Sequence, residues 1–441
     1  MSAGQVVITG VGIVSSIGIG HDVYWDALLA GDSGIKSLAE RNDGGAQPHS
    51  NDTTEGSAES PIWIGAPITD FDPKQFVKPR KALKVMCREI QFSFAASQMA
   101  IENAGLTGEF PATAETLIPP NRIGTVFGSE MFYGPPDEML DAFVPCVTNE
   151  QFDMAKFGAN ASRKIIPLWM LKYLPNMPAC HVGIAVNAHG PNNSLLNGDA
   201  SGLAAVIESV SCIERGIADV VISGAAGTRL STTRLNYNGN YPRASVTQPL
   251  SRMSRPHAPD ADGVVAGEGA ATLVLESAES ATRRGKTPLA TIAGTASRFY
   301  PPKTDDGQTN RGSSVAVGNA IDAAIADAGV TAADIGLIVS HGISDSKMDA
   351  AESDAILQRL PECPVICPAA AVGHTGAACG SIALATGVLA LKHGTVAPTV
   401  NATAKSSIRL LQQPRALIHP RVLCLSHTSE GTAIAIVICG V

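Results

Sequence analysis

Gly202–Gly216 reads GLAAVIESVSCIERG and Gly380–Gly394 reads GSIALATGVLALKHG. Both runs are apolar, helical in period and bounded by equally spaced glycines. Small residues precede each, Gly198-Asp199-Ala200-Ser201 in one case and Gly376-Ala377-Ala378-Cys379 in the other. Each also ends on basic residues, Arg215 or Lys392-His393, where a cation suits the carboxyl end of a helix. One plan used twice makes two similarly built halves, 1–279 and 288–441, joined near residues 279–288. Chance likeness between two alanine-rich helices is the competing explanation.

The flanking sequence gives an α/β reading. Gln5–Ser15 (QVVITGVGIVS) is a buried strand running into a Gly-rich turn. Asp22 is expected to cap a short helix from Val23 to Ala30, which Gly31 ends. Arg41–Pro61 is polar and Gly/Ser-rich, as a surface loop is, and Arg80–Ala104 has helical periodicity up to Gly105. Further strands fall at Ala218–Ala226, Ala270–Leu275 and Ile335–Ser340, alternating with the helical runs.

Composition sets outer limits. The 441 residues are 45% hydrophobic and 16% charged, so the chain is a folded one that buries much of itself. A formal charge of −8 argues against a general nucleic-acid surface. No run approaches the roughly 20 apolar residues of a membrane span, no charged-then-apolar signal peptide opens the chain, and cytoplasm is the expected location. The nine cysteines are scattered and odd in number, which fits buried free thiols. Cys363 and Cys367 are too isolated to form a zinc site.

Ordered motifs then become recognisable. They are VVITGVGIVSSIG at the start, Leu174-Pro175-Asn176-Met177, His189-Gly190-Pro191-Asn192, Asp199-Ala200-Ser201-Gly202, the stretch Asp262–Gly269, His341-Gly342 and Gly373-His374-Thr375. Through them the chain resembles, nearly end to end, the β-ketoacyl-[acyl-carrier-protein] synthases of the thiolase-like superfamily. The resemblance implies a duplicated five-layered α/β/α/β/α fold and a tight dimer. It also implies an acyl carrier protein whose phosphopantetheine arm carries the acyl chain, with no further cofactor and no metal.

The chemistry of such a family follows from its parts. A thiolate at a helix amino terminus is activated by the helix dipole and accepts the acyl group. Two histidines donate to the thioester oxygen of the malonyl carrier and stabilise the enolate left by decarboxylation. A lysine paired with a glutamate supports them, and the carbanion attacks the acyl-enzyme.

Carried over residue by residue, the resemblance meets departures at the chemistry. The family's Thr-Ala-Cys-x-Ser-Gly is Asn197-Gly198-Asp199-Ala200-Ser201-Gly202, so Asp199 stands at the nucleophile. Both histidines are kept, as His341 and His374, but the lysine position is Ala369 and its glutamate partner is Ala383. Joint loss avoids an uncompensated buried charge. The pantetheine-contacting His-Gly-Thr-x-Thr reads His341-Gly342-Ile343-Ser344-Asp345, the gating aromatics are replaced by His427–Ala433, and the acidic pair survives as Asp349 and Glu352.

Each site residue has two readings. Asp199 is either a helix cap or charge mimic, or a catalytic carboxylate. A carboxylate is a weak nucleophile, so ordinary condensation is not expected. His341 and His374 either fill structural hydrogen bonds or still bind a carbonyl oxygen, and an ionised Asp199 nearby would raise their pKa values. With Asp199 they also match a facial metal triad in composition. His427 is read as a polar lining residue, and Lys78, Arg80, Lys81, Lys84 and Arg88 as a solvated helix face or a docking patch for an acidic carrier.

The leading expectation is a non-condensing homologue in fatty-acid or polyketide-type biosynthesis. It would resemble chain-length factors or specificity subunits that pair with an active ketosynthase, as a heterodimer or a homodimer. The alternative is an enzyme of altered chemistry that uses Asp199, His341 and His374 for malonyl-thioester decarboxylation, hydrolysis or another acyl transfer.

Overall fold

The structure is a computed structural model that describes residues 4–38, 64–106, 118–236, 241–247, 249–305 and 308–441. The loop expected over Arg41–Pro61 lies outside them. Two chain segments run through the same series of elements. The first is β1 (Val6–Ser15), α1 (Arg88–Asn103), β2 (Ile123–Gly128), α2 (Met177–Ala185), β3 (Asn192–Leu195), α3 (Ser201–Glu214), β4 (Val220–Thr228) and β5 (Glu268–Ser277). The second is β6 (Ala290–Phe299), α4 (Ser314–Asp327), β7 (Leu337–Val339), α5 (Ser346–Arg359), β8 (Val365–Ile366), α6 (Cys379–His393), β9 (Arg421–His427) and β10 (Thr432–Cys439).

Strand order makes the repeat unambiguous. The sheet runs β3-β2-β4-β5-β1-β6-β10-β9-β7-β8, with the short strand Gly18–Ile19 paired to β1. In the first half β1–β5 and β5–β4 are antiparallel, and β4–β2 and β2–β3 are parallel. In the second, β6–β10 and β10–β9 are antiparallel, and β9–β7 and β7–β8 are parallel. The halves join where β1 meets β6 at Val7–Thr291 and Ile8–Ala290.

The likeness extends to single atoms. β1 is bulged between Ile8 and Gly10, and β6 between Ile292 and Gly294. A Cβ on Gly10 would strike the Ala100 carbonyl of α1, and one on Gly294 the Ala324 carbonyl of α4. Just past each bulge a backbone N–H donates to a side chain near the end of that helix: Val11 to Asn103 Oδ1 at 3.0 Å and Thr295 to Asp327 Oδ2 at 2.8 Å. A bulge frees a ladder donor, and a buried donor needs a partner, so each half solves the same problem alike.

Layers follow from which faces are apolar. α1 and α2 cover the outside of the first half, and α4 and α5 that of the second. α3 and α6 lie between the two halves of the sheet, giving the order α/β/α/β/α. α6 is buried without a break from Gly380 to Ala390, as a helix apolar on every side must be. Gly376–His393 is long and apolar enough to cross a membrane, but 78% of that window is buried, which makes it a core helix.

The first turns of α3 and α6 cross closely. A Cβ on Gly202 would lie 2.5 Å from Ser381 Oγ and 2.8 Å from its N, and one on Gly380 would lie 2.8 Å from Leu203 Cγ. Glycine is required at both positions because each fills the gap left by the other helix.

Three local expectations need correction. The first short helix is His21–Ala30 with Gly20 at its N-cap, and Asp22 sits inside the first turn, 3.3 Å from Lys392 Nζ. Arg80–Ala104 is not one helix: a 3₁₀ segment Arg80–Val85 precedes α1, and extended Cys87, whose N–H donates to Lys172 O, separates them. Lys78, Arg80, Lys81 and Lys84 are exposed, but Arg88 turns inward to buried Glu268 at 2.6 Å and leaves the basic face.

Gly202→Ala is expected to cost about 1–3 kcal/mol by overpacking the helix crossing. The midpoint of urea unfolding should fall, while an alanine at exposed Gly158, with nothing within 4 Å of its Cβ, should leave it unchanged or higher.

Candidate functional site

Asp199 ends the turn before α3, and His374 lies in the turn before α6. The helix crossing therefore brings residues from the two halves face to face. His341 follows β7 by one residue beyond Ser340, at the carboxyl end of the parallel strands. All three converge. Asp199 Oδ2 is 2.9 Å from His374 Nε2 and 3.6 Å from His341 Nε2, and each residue is at most 3% exposed.

Asp199 is not a helix cap, which corrects the capping half of the first reading and leaves the charge-mimic half as it stood. Ala200 holds the N-cap position with no side-chain cap bond. The carboxylate instead accepts from side chains: Arg229 Nη2 at 3.1 Å on Oδ1, and the Tyr241 hydroxyl at 3.1 Å on Oδ2 beside His374. Its backbone carbonyl accepts from Ser426 Oγ at 2.8 Å. An anion here is matched by donors on every side, which favours the ionised form.

Arg229 and Tyr241 were not found from sequence. Arg229 directly follows the apolar strand β4, and a charge at the carboxyl end of a buried strand was the available signal. Nothing in the sequence marks Tyr241, which also packs edge-on against His374 with centroids 5.3 Å apart. Arg229 extends the ion pairing: Glu130 Oε2 is 3.1 Å from Arg229 Nη1 and 3.1 Å from Arg234 Nη2.

The electrostatics follow from these neighbours. Burial alone would push the Asp199 carboxyl up, but the His374 and His341 imidazoles and the Arg229 guanidinium hold it well below the usual carboxylate range. Burial pulls His341 down, yet the adjoining Asp199 carboxylate outweighs it and raises this imidazole above its ordinary value. For His374 burial wins, helped by the Arg229 and His341 charges, and its pKa is lowered. These directions fit an ionised Asp199 that accepts from His374 Nε2 and favours the protonated form of His341 beside it.

Behind His341 lies a second acidic centre. Glu352 accepts the His341 N–H at 2.9 Å, the Gly342 N–H at 2.9 Å and the Ser340 hydroxyl at 3.0 Å. Burial would raise Glu352, but His427, His257 and His341 hold it far down. His427 Nε2 is 3.6 Å from Glu352 Oε2, and its ring stands edge-on to His341 at 4.8 Å. Asp349 takes the N–H groups of His257, Ile343 and Ser344. The surviving acidic pair thus shapes the loop that carries His341.

The positions that the resemblance assigns to a lysine and a glutamate hold apolar groups. Ala369 packs with Val264, Ile343, Met348 and Cys367, beside Tyr241, and Ala383 is buried in the main core. Ser344 and Asp345 are fully buried, with Ser344 Oγ accepting from the Arg255 N–H and Asp345 capping α5. The donors around Asp199 leave a cation little to bind, and among the described residues no group of three or more His, Cys, Asp and Glu side chains is placed to hold a metal ion.

Breaking the buried pair should be costly. Arg229→Met is expected to destabilise by about 3–5 kcal/mol, and by less in an Asp199→Asn background, where no anion remains at position 199 and Glu130 keeps its pair with Arg234. A double-mutant cycle in urea measures the coupling. In pH terms, Asp199 has a depressed pKa, so its contribution holds above about pH 4 and disappears as pH falls through its folded value. His341 has a raised pKa, so its contribution is complete below about pH 6.5 and disappears as pH rises through the raised value. NMR titration should show the His341 ring protonating above its ordinary pKa, and Asp199→Asn should lower that value.

Comparison with known proteins agrees with this architecture. Residues 3–281 match the Beta-ketoacyl synthase, N-terminal domain, and residues 289–403 the Beta-ketoacyl synthase, C-terminal domain. The 3-oxoacyl-[acyl-carrier-protein] synthase 2 of Vibrio cholerae is 30% identical over 414 residues, covering 91% of this chain and 89% of the relative. A crystal structure of a beta-ketoacyl synthase from Burkholderia phymatum superposes with a TM-score of 0.80 at 23% identity over 99% of both chains. The ishigamide ketosynthase/chain length factor does so at 0.78 and 21% identity over 100% of both. The chain belongs to the β-ketoacyl synthase family.

Proposed function

We propose that this chain is a non-condensing β-ketoacyl synthase homologue, a chain-length-factor-like or specificity subunit of a fatty-acid- or polyketide-type system in the cytoplasm. The observation that carries this reading is the place of Asp199 Oδ2, 2.9 Å from His374 Nε2 and 3.6 Å from His341 Nε2. By the chemistry expected of the family the two histidines hold the thioester oxygen, and a carboxylate oxygen fixed beside both of them supports a site that does not take one up. Losing one oxyanion donor costs roughly 10²–10³ in rate, and here both face a permanent anion.

The state of two buried thiols, Cys379 and Cys367, supports the reading that neither serves as a nucleophile in place of Asp199. Cys379, at the start of α6, is pushed up to about 12, first by burial and then by the Asp199 charge. Cys367 donates to the Gly342 carbonyl at 2.8 Å, and burial raises it well above the usual thiol range. Decarboxylation by the two histidines is less well supported than the subunit reading. It needs the Nε2 donor that His374 directs at Asp199, and the Asp199 anion would oppose the enolate charge.

Partners follow from the surface. Large exposed apolar side chains gather between residues 131 and 196, among them Met131, Val144, Met154, Ile166, Met170 and Ile184. The same region contains β3, an edge strand with one side unpaired. A family partner, as a homodimer or with a cysteine-bearing ketosynthase, would cover that face. Lys78, Arg80, Lys81 and Lys84 suit an acidic acyl carrier protein with its phosphopantetheine arm. A carrier protein appears in the name of the Vibrio relative, and a chain length factor in that of one structural neighbour.

Mixed with a cysteine-bearing ketosynthase encoded beside it, the chain should form a stable complex in native mass spectrometry. With malonyl- and acyl-carrier proteins it should turn over neither. Asp199→Cys should also fail to condense, since Ala369 and Ala383 supply no lysine–glutamate pair. Wild-type turnover that Asp199→Asn abolishes would overturn the proposal in favour of altered chemistry.

A further inference from the structure

A cavity of about 350 Å³ opens at the far end of the second half from the Asp199 cluster. Its walls include Ile335, Leu360, Pro364 and Ile418. Ile335 and Leu360 are buried, while Ile418 stands 64% exposed on the rim. Three arginines from separate parts of the chain line it: Arg359 at the end of α5, Arg409 in the irregular chain after α6 and Arg415 in a short strand.

Local acids only partly neutralise these guanidiniums. Arg359 directs Nε to both oxygens of Asp322 at 2.9 Å. Arg409 Nη1 donates to the Glu362 carbonyl at 2.8 Å, while the Glu362 carboxylate is 4.0 Å away and 92% exposed. Arg415 pairs through its backbone with Val396, and among the described residues its guanidinium has no hydrogen-bonding or ionic partner. In a chain of net charge −8, three arginines on one apolar cavity form a local field of the opposite sign.

We infer that this cavity binds a small amphiphilic anion, a carboxylate or phosphate head on a short apolar body. An apolar cavity with a few convergent polar groups is the usual form of a small-molecule site, and planar guanidiniums suit both head groups. At about 30 Å³ per water the volume equals roughly a dozen waters, room for a chain of octanoate size. The apolar body would lie on Ile335 and Leu360, and the head would meet Arg409 and Arg415.

The place of the cavity gives it a line to the site. Ile335 and Gly336 lead into β7, whose other end leads through Ser340 to His341. α5 likewise begins at the buried Asp345 cap near the site and ends on Arg359. The binding inference does not depend on the proposed function.

Isothermal titration of the full chain with octanoate, octyl phosphate and 1-octanol tests it. Both anions should bind saturably at one site, and the neutral alcohol at least about tenfold more weakly, as expected when charge-assisted hydrogen bonds are lost. Arg409→Met with Arg415→Met should weaken octanoate at least about tenfold, whereas lysine at both positions should retain most of the binding. Ile418→Glu, on an exposed side chain, supplies a second block that leaves the core intact, with thermal melting followed in parallel. Asp199→Asn should leave octanoate affinity unchanged. The absence of saturable anion binding, equal affinity for the alcohol, or affinity insensitive to these substitutions would each overturn the inference.

Discussion

The crossing of α3 and α6 at Gly202 and Gly380 is the constraint on which the rest of the site depends. Two helix amino termini approach closely enough that neither can carry a Cβ without striking the other helix. That approach fixes the turns immediately before the helices, so Asp199 and His374 face each other although they are 175 residues apart in the chain. A site assembled from both halves is therefore only as precise as this contact. The matched bulges at Gly10 and Gly294 hold the outer helices α1 and α4 against the two innermost strands in the same way.

Placing a carboxylate at this crossing has electrostatic consequences that the surrounding residues meet together. A buried anion without a partner would protonate or unfold the site. Arg229 supplies the opposite charge, Tyr241 and His374 supply hydrogens, and Glu130 with Arg234 balances Arg229 in turn. Ala369 and Ala383, where the resemblance implies a lysine and a glutamate, are packed in apolar clusters and bring no charge to the site. Few of the buried charges of this site are left uncompensated.

Much of this was legible in the sequence because the repeat is local. Glycine-bounded helices, buried strands and ordered motifs are patterns that a short window contains. The residues that charge-balance Asp199 were not legible, because Arg229 and Tyr241 reach it through tertiary packing alone. The capping expectation for Asp199 failed for the same reason: side-chain partners from β4 and beyond outcompete the nearby helix N–H groups. Arg88 lies in a basic run that reads as solvated, yet pairing with buried Glu268 turns it inward. The break at Cys87 depends on the distant Lys172 carbonyl, which no helical period reveals.

The internal repeat also explains how the aspartate is accommodated. Gly198-Asp199-Ala200-Ser201-Gly202 matches Gly376-Ala377-Ala378-Cys379-Gly380 in order, and both first glycines have positive φ, 53° and 62°. The two turns share a backbone and differ at the fourth position, Ser201 against Cys379, and at the second, where one carries a carboxylate and the other only a methyl group. Gly376 then has a further task. A Cβ there would lie 2.7 Å from Arg229 Nη2 and 2.8 Å from Glu130 Oε1. The turn of the second half therefore leaves open the space in which the guanidinium reaches Asp199. Symmetry of the backbone builds the pocket, and asymmetry of one side chain sets its charge.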